Sequence, residues 1–167
     1  MPHYDKADEQ TIALINEILN EYHPELASAE VTIEAMMAYD DKGGFPVKHG
    51  GYPALAVIKI SSLKNRVKGF ADAEITIDAE NFKSMSEPQR RALLDHVLTG
   101  IALAKDKDGT VKTDDASRPK LKIKKYDYRL SWFREVAIRH KENSPELFQA
   151  KMLWTKDSKT FFPQSNI

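Results

Sequence analysis

The stretch best supplied with reactive side chains is residues 89–100, QRRALLDHVLTG. An arginine pair and a leucine pair precede Asp95 and His96, and the apolar spacing predicts an amphipathic helix. An imidazole beside a carboxylate can move a proton or hold a metal. These two are sequence neighbours, however, and at about 3.6 residues per turn their side chains diverge by about 100°. One metal is not held by both. The other histidines, His3, His23, His49 and His140, form no HxH or HxxxH pair with His96 or with each other. There is no cysteine, and no serine sits in a G-x-S-x-G elbow. The glycine pairs Gly43–Gly44 and Gly50–Gly51 lack the Lys-Ser/Thr of a phosphate cradle. Nucleophilic catalysis and nucleotide hydrolysis are therefore unsupported. His96 alone reads as a hydrogen-bonded residue at the flank of the stripe.

A second constellation is basic and aromatic. Arg118, Lys120, Lys122, Lys124 and Lys125 are followed by Tyr126, Tyr128 and Trp132. In a strand, Lys120, Lys122 and Lys124 share one face, with Leu121 and Ile123 on the other. Cations interleaved with aromatic rings can track a phosphate backbone and stack bases. The competing reading is a solvated edge strand guarded by lysines against aggregation. Asp106, Asp108, Asp114 and Asp115 lie beside the run, and Lys plus Arg equals Asp plus Glu at 25 each. With no net charge, the whole molecule is not steered to nucleic acid or anionic lipid. The edge-strand reading is the better fit.

The elements that must position these residues follow from periodicity. Ile12, Ile15, Ile18, Leu19 and Tyr22 make one helical stripe, with Asp5, Asp8 and Glu9 at its start and Pro24 at its end. Strands are expected over residues 30–37, 54–60 and 71–77, the second buried on both faces. The loop between the first two holds four glycines and is long enough to be functional. Ser86, Pro88 and Gln89 form a capping box that starts the central helix. That helix carries Leu94, Val97, Leu98 and Ile101 inward and is expected to end near Ala104. A hairpin over 110–125 turns around 114–119. Further helices are expected over 128–140 and from Ser144-Pro145.

This order predicts an α+β fold: a single domain over 1–154, with a mixed or antiparallel sheet packed by helices and a loosely held tail over 155–167. No apolar run approaches the roughly 18 residues that cross a bilayer, and the acidic N-terminus is unlike a signal peptide. A cytoplasmic location without membrane contact is expected.

The helix segment resembles the zinc helix of the phage metallopeptidase family, which carries ALLDHELxH. The likeness extends along the chain in order. It includes YHPEL at 22–26, a Gly-led strand over 50–61, KDKDG at 105–109, KKYD at 124–127 and the pair Arg139–His140. It implies a minimal zincin-like fold of phage origin, working in the host cytoplasm. A zincin helix places two histidines at i and i+4, with a glutamate after the first as proton acceptor for metal-bound water. The first position here is His96. The glutamate position is Val97, the second histidine position is Gly100, and the position resembling a third ligand is Tyr126. The resemblance therefore implies a vestigial site, with no catalytic residue and no cofactor. Gly100 reads either as a close approach by another backbone or as drift.

The function expected on these grounds is non-catalytic: binding of a macromolecular partner, a protein such as a host or defence component. Two alternatives stand beside it. One is a metal-dependent hydrolase with zinc on an altered ligand set; the other is a nucleic-acid-binding module using the lysine strand.

Overall fold

A computed structural model describes residues 1–127 and 132–152. The chain forms two compact units, Met1–Lys125 and Tyr126–Ile167. The expected tail over 155–167 lies outside the described residues.

The first unit begins with strand β1 (Pro2–Lys6), helix α1 (Glu9–Tyr22), the short helix α2 (Pro24–Ser28) and strand β2 (Ile33–Asp40). Two-residue strands β3 (Lys48–His49) and β4 (Tyr52–Pro53) follow, then β5 (Ala56–Ile60), α3 (Leu63–Val67), β6 (Ala73–Asp78), α4 (Ala79–Ser84) and α5 (Glu87–Thr99). Strands β7 (Ile101–Leu103) and β8 (Leu121–Ile123) complete it. The main sheet runs β1-β2-β6-β5. β2 and β6 are parallel, and the other two pairings are antiparallel. The fold is thus α+β with a mixed sheet, as the element order predicts.

Alternation decides which face of the sheet is buried. Ala35 and Met37 of β2 and Ala73, Ile75 and Ile77 of β6 enter one core with Ile15, Ile18 and Leu19 of α1 and Leu94, Val97 and Leu98 of α5. Ile75 and Ile77 are fully buried, so truncating either to Ala costs on the order of 2–5 kcal/mol. β5 contributes Ala56, Ile58 and Ile60 to this face, while Lys59 is exposed. It is therefore buried on one face rather than two. Tyr22 is also exposed, and Asp5 belongs to β1 rather than to the helix start. Asp8 caps α1 by accepting from Thr11 N–H at 2.7 Å. Pro24 opens α2 as well as ending α1.

The central helix is one turn shorter than its apolar pattern suggests. Its capping box closes as expected: Ser86 N–H donates to Gln89 Oε1 at 2.9 Å, and Gln89 N–H to Ser86 Oγ. It stops at Thr99, with Gly100 as its C-cap. Ile101 and Leu103 are buried through β7, which pairs with β8. The expected hairpin forms at its inner turn, where Thr113 bridges Pro119, but β8 pairs with β7 rather than with residues 110–113.

In the second unit, helix α6 (Arg134–His140) leads through a 3-10 turn (Lys141–Asn143) into α7 (Pro145–Met152). Ser144 Oγ accepts from Leu147 N–H at 3.2 Å and caps α7. Of the helix expected over 128–140, residues 128–131 lie outside the described set.

Candidate functional site

Helix α5 is clamped along one flank. Arg91 donates to Glu17 Oε1 and Glu21 Oε2 of α1, each at 2.9 Å. These bonds, Glu17 first, raise the Arg91 pKa above its usual value. One turn on, Asp95 Oδ1 lies 2.8 Å from His23 Nε2 at the junction of α1 and α2. Arg90 donates to the carbonyls of Phe82 and Lys83 at 2.9 Å each and sits over the Phe82 ring, fixing α4 against α5. Nearby, Lys105 Nζ reaches Glu25 of α2 at 3.2 Å.

His96 points away from this clamp and is exposed. Val97 is 5% exposed and belongs to the core with Leu94 and Leu98. Gly100 is half-buried. A Cβ added there would stand 3.0 Å from the Val97 carbonyl oxygen and 3.5 Å from Ile58 Cγ2. The approach at Gly100 is thus made by a side chain of β5 and by the helix's own carbonyl. Tyr126 is 57% exposed and belongs to the second unit.

These residues do not fit a zinc ion of the motif's kind. Of the helix positions that carry the family motif, only His96 offers a metal-binding atom. The proton-acceptor position carries an alkyl group sealed in the core, and the space a second imidazole would enter is bordered by Ile58. Among the described residues, no group of three or more His, Asp or Glu is placed to hold a metal ion.

The basic constellation divides. Lys120, Lys122, Lys124 and Lys125 are exposed on and beside β8, and Trp132 is 48% exposed in the second unit. Tyr128 lies outside the described residues. Arg118 leaves the set: its Nη1 donates to the Arg66 carbonyl at 2.6 Å, and its Nε lies 3.5 Å from Asp114 Oδ2. Ile123, on the face opposite the lysines, is itself 60% exposed.

Sequence reasoning missed the centre to which Arg118 turns. Arg66 of α3 is 5% exposed. It donates through Nε to Asp72 Oδ1 at 2.8 Å, through Nη2 to the same oxygen, and through Nη2 to Pro119 O at 2.7 Å. Its Nη1 lies 3.3 Å from Asp114 Oδ2. Asp72 also accepts from the Thr32 N–H and hydroxyl. The Arg118 N–H, above all, holds the Asp114 carboxyl below its usual range; the Ala116 N–H and the Arg66 and Arg118 charges add to this against desolvation. This network ties the 114–119 turn to α3 and to Asp72 at the entry of β6. An arginine in the polar run KNRVKG carries no burial signal, so the sequence offered no way to find it.

The glycine loop shapes a cleft of about 190 Å³ lined by Asp40, Gly44, Phe45, Asp78, Glu80 and Asn81. Asp78 is engaged as the cap of α4, accepting from Asn81 N–H at 3.1 Å and from Asn81 Nδ2 at 2.8 Å. No helix among the described residues is long and apolar enough to cross a membrane.

The family model described as Putative phage metallopeptidase matches residues 4–157. No curated protein and no solved structure shows a significant match.

Proposed function

The chain belongs to the phage metallopeptidase family, and from that membership we propose that it is a non-catalytic member acting by binding a macromolecular partner. One observation carries the reading. Where the family's helix has its proton acceptor, this chain has Val97, buried among Leu94 and Leu98. A side chain without an exchangeable proton, facing the core, neither takes a proton from water nor reaches a substrate. The family-like segments, by contrast, meet as scaffold: His23 and Glu25 of YHPEL contact Asp95 and Lys105. The frame that would present a site is kept, and the groups that would work in it are not. Phage membership favours a host or defence protein as the partner, in the host cytoplasm.

The test is metal content after purification with zinc supplied, together with a peptidase assay. Far less than one zinc per chain and no cleavage are expected. About one zinc per chain, lost in His96→Ala, would overturn the reading in favour of a hydrolase with an altered ligand set.

A nucleic-acid-binding module is a second reading, favoured by the exposure of Lys120, Lys122, Lys124 and Lys125 without a carboxylate at ion-pair distance among the described residues. It requires an affinity that falls by roughly one log unit per tenfold salt for each phosphate neutralised and is abolished by changing Lys120, Lys122 and Lys124 to Glu.

A further inference from the structure

Among the described residues, the outer edge of β1 is an unused hydrogen-bonding surface, and its residues are complementary to themselves. All five residues of the strand are exposed. β1 pairs with β2 in a regular antiparallel register that sets Lys6 against Met36 and Asp5 against Met37. Just past the strand, Ala7 N–H donates to Ala35 O at 3.0 Å. In an antiparallel ladder, directly opposed residues alternate between exchanging hydrogen bonds and not. Asp5 and His3 therefore bond to β2. The peptide groups of Tyr4 and Lys6, and the Pro2 carbonyl, point outward.

We propose that β1 is a homodimer interface: two copies of this chain pair antiparallel through β1 about a two-fold axis at Tyr4. In that register, Tyr4 exchanges two hydrogen bonds with Tyr4 of the second copy. Each Lys6 N–H donates to Pro2 O of the other copy. His3 stands opposite Asp5 of the second copy, and Asp5 opposite its His3. These are non-hydrogen-bonded positions, where side chains come closest. An imidazole that in its own chain stacks on Tyr39 and lies 3.5 Å from Asp41 Oδ1 thus stands opposite a further carboxylate at each of two positions.

Charge selects this register over its neighbours. Shifted two residues one way, Asp5 opposes Asp5; shifted two the other way, His3 opposes His3 and Pro2 stands against Tyr4. Like charges opposed across strands are destabilising. The Tyr4-centred pairing also puts Pro2, with no N–H to give, at the ends of the ladder. Proline and lysine usually guard an edge against pairing; here they limit it to one short, closed, two-fold contact. The two main sheets then join into one of eight strands, β5-β6-β2-β1 and its symmetry copy. This inference stands independently of the reading in the preceding subsection.

The experiment is sedimentation of the full chain from about 10 µM to about 1 mM. Five residues a side is a small interface, so a dimer dissociation constant on the order of 10⁻⁴ M is expected. Tyr4→Pro removes the outward N–H and leaves the β1–β2 ladder intact, so dimerisation should weaken at least about tenfold with an unchanged thermal melt. His3→Asp sets carboxylate against carboxylate and should weaken it by roughly threefold or more. Exchanging the pair, His3→Asp with Asp5→His, restores complementarity and should recover the dimer. A chain that stays monomeric at 1 mM would overturn the proposal. So would a dimer indifferent to Tyr4→Pro, or a swapped pair no better than His3→Asp alone.

Discussion

His23 and Asp95 meet at 2.8 Å across seventy-two positions of sequence. Each comes from a segment that resembles the family. The contact joins the end of α1 to the exposed flank of α5, one turn from the Arg91 clamp. On the same helix Val97 is buried and His96 exposed.

A double-mutant cycle measures that bond. His23→Ala and Asp95→Ala should each destabilise the fold, with a coupling of roughly 0.5–1.5 kcal/mol. The value should fall toward the lower end because the Asp95 side chain is 42% exposed. Urea unfolding of the four proteins checks it, and full additivity would contradict the structural role.

Rebuilding the zinc motif tests whether the core leaves room for it. Val97→Glu should cost at least about 2 kcal/mol, since it places a carboxylate among Leu94 and Leu98. Gly100→His gains helix propensity, but its Cβ meets the Val97 carbonyl at 3.0 Å. The double variant should melt lower than the parent and bind zinc no better in calorimetry. A variant that melts as the parent does and takes up zinc would show that α5 retains zincin geometry.

The Arg66 network should be the costliest polar contact to break. Arg66→Met leaves the Asp72 and Asp114 carboxylates buried without their shared cation, a loss on the order of 3–5 kcal/mol. Limited proteolysis should then cut first within 105–120. Equilibrium unfolding of the variant provides the number.

Acid stability should depend on Asp114. Its folded pKa lies below the ordinary 3.8. Its contribution is therefore complete above that value and is lost as pH falls through the depressed one. Asp114→Asn should lower stability at neutral pH and flatten the decline below about pH 4, as read from melts across pH 2–7.

Local rules made much of this fold readable. The α1 stripe, the α5 capping box and the alternating strands β2 and β6 each carry their own pattern within a few residues. What stayed hidden was decided between distant segments. Residues 100–104 look like more helix until β8 pairs with β7. β1 has no inward-facing apolar residue to announce it. Arg118 reads as part of a cationic face because nothing nearby says that its head turns inward to Asp114. The same holds for the site. Missing chemistry at Val97 and Gly100 is written in the residues themselves, but the core position of Val97 and the approach of Ile58 to Gly100 needed the fold.

The parallel pairing of β2 with β6 at the centre of the sheet carries a kinetic consequence. Thr32 and Asp72, forty positions apart, latch the entry to that pair. Closing so long a loop costs entropy before any contact offsets it. β5 and β6 pair locally, and α4 and α5 follow them directly, so 56–99 is the segment able to gather first. β2 must then find its place beside β6, and β1 can dock only after β2 has arrived. Until then the inner edge of β6 is open to any extended chain nearby, and the refolding yield should fall as protein concentration rises.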